Sequence, residues 1–279
     1  MISEDFSKAV LVVLGHGTAL NENSAAPVRQ HVAELRRRRL FREVHEAFWK
    51  QEPQIKQVLT EISSQTVPRI FIAPLFISEG YFAGQVIPRE LGFENGNSTL
   101  KMNDSEITYC APIGTHDSMT AVILSRAAGV LKAFPFPRTP KNSETTLFIA
   151  GHGTEKNENS RKPIVRQVEL IRAQGVYADV HAIFLDEAPR IADCYSLAKT
   201  KNMVVVPFFI SDGLHTQEDI PLLLGETKKN IEARLAAGQP VWRNPMERHG
   251  KLVWYSAAVG TEPGIADVIL QRVKEAVVR

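Results

Sequence analysis

Cysteine is nearly absent: Cys110 and Cys194 are the only two in 279 residues. Two thiols cannot build a disulfide framework, an iron–sulfur cluster or a structural zinc site. Both are read as small buried residues of a reducing compartment. Long apolar runs are missing too. The longest, Ala9–Leu14 and Met203–Ile210, fall well short of the roughly 18–20 residues a membrane span requires. The opening Met1–Lys8 is polar, without the basic and apolar regions of a signal peptide. Charge of one sign is lacking as well, since 33 Lys and Arg stand against 31 Asp and Glu. A formal charge of +2 gives no electrostatic reason to expect nucleic acid or an anionic membrane as a partner. The glycine-rich segments are neither GxxxxGK[ST] nor GxGxxG, so neither nucleotide-binding fingerprint is present. These absences describe a soluble, cytoplasmic globular protein.

What the sequence has in abundance is itself, repeated. Gly15-His16-Gly17-Thr18 returns as Gly151-His152-Gly153-Thr154, and Asn21-Glu22-Asn23-Ser24 as Asn157-Glu158-Asn159-Ser160, both displaced by 136 positions (151 − 15). The displacement becomes 133 for Ile87-Pro88 and Ile220-Pro221 (220 − 87), then 146 for Gly114-Thr115 and Gly260-Thr261 (260 − 114). An order kept across half the chain is a duplication. It divides the length into a domain over 1–133, a proline-rich linker over 134–145 (FPFPRTPKNSE from Phe134 to Glu144) and a domain over 146–279.

Each half alternates short β-branched apolar runs with amphipathic segments. In the first, strands are expected at Ala9–Leu14, Val44–Trp49, Arg69–Ile77 and Ile107–Pro112, and helices at Ala26–Arg38, Gln54–Ser63 and Ser118–Lys132. The second half copies this plan. The fold class is α/β: two tandem domains, each a parallel sheet flanked by helices. Ligands of such sheets lie beyond the carboxyl ends of the strands. Three loops per half reach that edge: the one after strand one, the end of strand two, and the one after strand three.

In the second half these loops carry His152, the acidic pair Asp186 and Glu187, and His215. Two histidines and a carboxylate converging on one crevice suit a divalent transition metal or an acid–base set. The first half differs where it counts. Phe82 stands for His215, Lys50 for Asp186, and Gln85 and Val86 for Glu218 and Asp219. A lysine and a phenylalanine cannot hold a cation together with His16, so the chemistry is assigned to the second half. Among the remaining residues, His45 and His181 are expected to be structural and His31, His116 and His249 exposed. Trp49, Trp242 and Trp254 are expected in the core, and Arg36–Arg39 on a solvated helix end.

The GHGT turn, the Phe-Leu-acid-x-x-Pro stretch Phe184–Pro189 and VVVPFFISDGLHTQEDIP (Val204–Pro221) resemble the sirohydrochlorin cobaltochelatases, the class II tetrapyrrole chelatases, in their two-domain form. The resemblance implies two chelatase-like domains facing each other across a cleft, the first with a degenerate site. It implies ATP-independent insertion of a divalent metal, cobalt or alternatively iron or nickel, into a tetrapyrrole such as sirohydrochlorin. His152 and His215 then serve as metal ligands and proton acceptors, and Asp186 or Glu187 takes the acid position, where the family usually has Glu. Because such substrates bear many carboxylates, Arg161, Lys162 and Arg89 are expected to rim the substrate site. The expected assembly is a monomeric pseudo-dimer or a weak homo-oligomer. A non-catalytic protein that only binds a tetrapyrrole or a metal, and an unrelated metal-dependent hydrolase, are the alternative readings.

Overall fold

A computed structural model describes residues 5–18, 22–93, 96–154 and 158–278, with only the backbone for Glu22 and Asn23. Asn21 and Asn157 of the repeated segments therefore lie outside the described residues. The first repeat contains β1 (Ala9–Gly15), α1 (Ala26–Arg38), β2 (Glu43–Phe48), α2 (Ile55–Ser63), β3 (Arg69–Pro74), α3 (Ile87–Glu90), β4 (Thr99–Met102), β5 (Ser105–Tyr109) and α4 (Met119–Ala133). The second contains β6 (Thr145–Gly151), α5 (Lys162–Gln174), β7 (Asp179–Phe184), α6 (Cys194–Leu197), β8 (Asn202–Pro207), α7 (Ile220–Leu223), α8 (Lys228–Ala236), β9 (Met246–Arg248), β10 (Lys251–Tyr255) and α9 (Ile265–Val278). No helix among the described residues is long and apolar enough to cross a membrane.

Each repeat supplies one five-stranded sheet, ordered β2-β1-β3-β5-β4 and β7-β6-β8-β10-β9. Four strands of each run parallel and the fifth, β4 or β9, pairs antiparallel at the edge. All seven residues of β1 and of β6 are buried, as central strands covered on both faces must be. The edge strands have four and three residues, too short and polar to show in an apolar pattern. The change of displacement from 133 to 146 also finds its cause. Thirteen extra residues (146 − 133) follow Pro221, and among the described residues the second repeat alone has a helix, α8, there.

Helix α1 buries Val28, Val32 and Leu35 against the sheet, and His31 with them. The expectation that His31 is exposed fails because position 31 falls on the same helical stripe as 28 and 35. His116 is not exposed either; its Nε2 lies 3.0 Å from Glu275 Oε1. Cys110 and Cys194 are buried free thiols, and burial pushes both up to about 12.

The compact units of the molecule do not coincide with the repeats. One unit comprises Met1–His116 and Pro263–Arg279, the other Asp117–Glu262. Helix α9, last of the second repeat, packs on α1 and β3 of the first, whereas α4 packs on α5, β8 and β10 of the second. The boundaries drawn from the sequence at 133 and 146 follow the duplication, whereas the units follow packing. Within the first unit Arg272 of α9 donates from Nε to the Pro112 carbonyl at 3.0 Å, from Nη1 to Glu275 at 2.7 Å, and from Nη2 to the Thr115 hydroxyl. Its repeat partner Arg126 of α4 (272 − 146) donates from Nη2 to Thr261 at 2.8 Å and pairs with Glu262 at 3.1 Å within the second unit. Each exchanged helix thus uses one arginine to grip a Gly-Thr turn.

Candidate active site

From β6 the chain passes to β7 on one side and later returns to β8 on the other. Loops leaving the carboxyl ends of β6 and β8 therefore diverge, and a crevice opens at that switch point. His152 directly follows β6, and His215 starts the π-helical turn His215–Asp219 after β8.

Glycine fixes the first of these loops for reasons of space. A Cβ on Gly151 would lie 2.0 Å from Cδ1 of Ile164 in α5. Gly153 has a φ of +68°, and its Cβ would meet Glu187 Cγ at 2.7 Å. The first repeat meets the same demands, with Gly15 2.7 Å from Val28 and Gly17, at φ +70°, 2.7 Å from Gln51. Gly-His-Gly is thus a packing solution that both repeats need whether or not the histidine does chemistry.

The π-helical turn is the second positioning device. Its closing bond runs from the Ile220 N–H to the His215 carbonyl, the wide turn that often marks functional segments. The Tyr255 hydroxyl in β10 donates to the Thr216 carbonyl at 2.6 Å, and the Gly213 N–H donates to Thr216 Oγ1 at 2.9 Å.

These elements bring the two histidines edge to face, with ring centroids 4.9 Å apart and an interplanar angle of 86°. His152 Nδ1 lies 2.9 Å from the Gly153 carbonyl and 3.2 Å from Asp186 Oδ2. His215 Nδ1 lies 2.7 Å from Asp219 Oδ2. Carbonyl and carboxylate oxygens only accept, so each Nδ1 carries the proton and each Nε2 the lone pair. Both imidazoles are thereby set to ligate, or to take a proton, through Nε2. The His152 side chain is 48% exposed and that of Asp186 57%. Asp219 was not singled out by the sequence reading; the signal was its i,i+4 spacing from His215.

The two acids at the end of β7 do different work. Glu187, 14% exposed, accepts from the Thr154 N–H at 3.2 Å and from Arg161 Nη1 at 3.3 Å. Its counterpart Gln51 (187 − 136) accepts from the Thr18 N–H at 3.3 Å in the first unit. Asp186 is the acid beside His152. Arg161 is equally committed: it donates to the Ala188 carbonyl at 2.9 Å and lies over the Phe184 ring. Lys162 is exposed and pairs with Glu158 at 3.0 Å. Arg89 sits exposed on α3 in the first unit. Among the described residues no group of three or more His, Cys, Asp or Glu is arranged to hold a metal ion.

The corresponding place in the first unit has another character. His16 keeps the contact of Nδ1 with the following carbonyl, Gly17, at 2.7 Å. Around it stand Trp49, Phe82 and Phe76, with centroids 5.3, 5.8 and 6.4 Å away. Lys50 Nζ lies 3.8 Å from the centre of the Trp49 ring. Trp242 and Trp254 are buried as expected, whereas Trp49 is half-buried, packed against the core of its unit and edge to face with His16.

Comparison with known proteins meets this geometry. The family model CbiX matches twice, over residues 10–130 and 146–276. A protein of Halobacterium salinarum described as a probable sirohydrochlorin cobaltochelatase is 43% identical over 95% of this chain and 91% of its own length. Among solved structures, a multi-domain protein of Deinococcus radiodurans with structural similarity to chelatases superposes with a TM-score of 0.76 at 24% identity, over 97% of this chain and 55% of that one. SirB from Bacillus subtilis with Fe3+ superposes with a TM-score of 0.68 at 16% identity, over 96% of this chain and 95% of that one. The two structures establish a shared fold. With each of its repeats matched by the family model and a close relative aligned along nearly its whole length, the chain belongs to the CbiX family of metal chelatases.

Proposed function

We propose that the protein inserts a divalent metal, cobalt first and iron or nickel as alternatives, into a tetrapyrrole such as sirohydrochlorin, using the histidine pair of the second unit. The observation that carries this reading is the pairing of His152 and His215 at 4.9 Å, each with its Nδ1 proton spoken for and its Nε2 lone pair free. The close relative's description as a probable sirohydrochlorin cobaltochelatase supports the choice of metal and macrocycle.

Insertion exchanges two pyrrole N–H protons for one M2+. Two imidazoles without a third protein donor hold the incoming ion loosely, so the four pyrrole nitrogens can take it over; a closed tetrahedral cage would keep it. An Nε2 that has released the metal is then an unprotonated imidazole nitrogen and takes up a pyrrole proton. The Asp186 and Asp219 carboxylates, at 3.2 and 2.7 Å from the two Nδ1 atoms, stabilise the imidazolium that results. The acid role falls to Asp186, since Glu187 is spent on holding the loop that carries His152. Lys162, near the same loop, and Arg89, in the first unit, are assigned to the substrate's carboxylates. No nucleotide takes part in the scheme.

The test is anaerobic incubation with sirohydrochlorin and Co2+, followed by absorbance and by mass spectrometry of the product. Multiple turnovers are expected for the wild-type chain, and a loss of at least about a hundred-fold for the His152→Ala, His215→Ala double variant. Undiminished insertion by that variant overturns the site. Stoichiometric binding without turnover under excess metal overturns the activity.

A further inference from the structure

The first unit lacks the histidine pair and carries an exposed aromatic cluster at the corresponding place. Tyr81 and Phe82 are 66% and 45% exposed and continuous with Trp49 and His16, and a contiguous exposed apolar patch marks a binding surface. The Phe82 ring packs against Trp49 at 4.9 Å and Tyr81 at 5.7 Å. Trp49 is in turn held by a hydrogen bond from Nε1 to Glu90 Oε2 at 3.0 Å. The counterparts of Trp49, Lys50, Tyr81 and Phe82 in the second repeat are Leu185, Asp186, Leu214 and His215. Aromatic faces and one cation thus stand where the second unit has an imidazole, a carboxylate and two aliphatic side chains. Lys50 has no carboxylate partner among the described residues and rests on the Trp49 ring, a contact it can exchange for an anion at small cost.

We propose that this cluster binds the tetrapyrrole face-on: Phe82 stacks on the flat macrocycle, Tyr81, inclined 61° to Phe82, meets it by its edge, Trp49 backs them, and Lys50 pairs with one of its peripheral carboxylates. The proposal rests on the tetrapyrrole being the substrate and gives the first unit a recognition role separate from metal handling. A flat conjugated ring with anionic substituents matches both features of the patch, whereas a metal ion matches neither. Stacking tolerates differences in what the ring carries at its centre, so the cluster binds free and metallated macrocycle alike. Tyr81, Phe82 and Lys50 are thus specificity residues for the macrocycle, outside the metal-transfer step.

The experiment uses the full chain and metal-free sirohydrochlorin. Quenching of the Trp49 fluorescence gives its Kd, with a Trp49→Phe chain as the control for the two buried tryptophans. The Tyr81→Ala, Phe82→Ala double variant is expected to raise Kd and KM for sirohydrochlorin at least about ten-fold. Its Co2+ affinity and its rate at saturating tetrapyrrole should stay within about two-fold of wild type. Phe82→Tyr is expected to restore tight binding, separating loss of stacking from loss of folding. The His152→Ala, His215→Ala variant is expected to keep the wild-type sirohydrochlorin Kd while losing turnover. Unchanged Kd and KM in Tyr81→Ala, Phe82→Ala overturn the proposal and leave metal insertion standing. Dissociation of a wild-type dimer by that variant, seen by sedimentation velocity with Kd unaltered, overturns it in favour of a second copy of the chain. Tight binding with no turnover by wild type overturns the reaction and leaves the platform standing.

Discussion

The same loop, strand end and π-helical turn (Phe82–Val86 and His215–Asp219) occur in both units, yet one surrounds its histidine with imidazole and carboxylate and the other with aromatic rings. His152 meets His215, Asp186 and, through His215, Asp219; His16 meets Trp49, Phe82 and Phe76. The backbone supporting them is nearly interchangeable. The Gly-His-Gly turn, the Gln51 or Glu187 bond to the following threonine N–H, and the Tyr109 or Tyr255 hydroxyl donating to the π-helical turn recur in both. Duplication therefore separates what the scaffold needs from what the chemistry needs. Features found in both units hold the loops; features found in one are candidates for the reaction.

That division can be broken most directly by making the second unit resemble the first. His215→Phe should lower the metal-insertion rate about 10²- to 10⁴-fold, whereas His16→Ala should leave the rate at saturating tetrapyrrole nearly unchanged; comparable losses would erase the distinction. The arginine grips differ as well. Arg272 is buried and donates three hydrogen bonds, so Arg272→Ala should cost about 3 kcal/mol, at about 1 kcal/mol for each bond. Arg126→Ala should cost about 1–3 kcal/mol, the ranking being read from urea unfolding midpoints.

Asp219→Val copies Val86 and should weaken Co2+ binding about 10- to 100-fold, since it removes the partner that orients His215; equilibrium dialysis measures it. Glu187→Gln copies Gln51 and should change turnover by no more than about two-fold, because the bond to the Thr154 N–H survives. Asp186→Lys should be far more damaging in the same assay. The smallest difference at neutral pH concerns the thiols, Cys110 in one unit and Cys194 in the other. Their pKa values are raised in the folded protein to about 12 by burial. The stability gained by keeping them protonated is present in full below the unfolded thiol pKa near 9, and is lost as pH rises from there toward 12. Urea midpoints should fall over that range, and less steeply in Cys110→Ala and Cys194→Ala chains. Neither thiol should react with a disulfide reagent in the native state at pH 8.

Much of this was legible in the residues. Central strands such as Ala9–Gly15 announce themselves because both faces are covered and every position is apolar. His152, His215 and Asp186 were legible because the strand-end rule needs only the order of elements. Asp219 was not picked out although its i,i+4 spacing from His215 is visible in the residues, since the spacing brings the two together only if the segment is helical there. His31 was misplaced, and Trp49 packs on the core while staying half-exposed, because one residue type suits both core and surface, and only neighbours decide. The edge strands β4 and β9 escaped because pairing with β5 and β10, not their own composition, makes them strands.

By itself the sequence determined that 279 residues comprise a duplication, that each copy is a parallel α/β unit, and that the second copy alone keeps both histidines. Repetition, apolar periodicity and residue identity are local properties, and they survive in one dimension. Tertiary structure decided which acid stands beside which imidazole, where each ring nitrogen's proton goes, and that α4 and α9 pack away from their own repeats. Those outcomes depend on approach distances of a few ångströms between residues far apart in the chain. The apolar face of a helix specifies that it must be covered, and leaves to packing which sheet covers it.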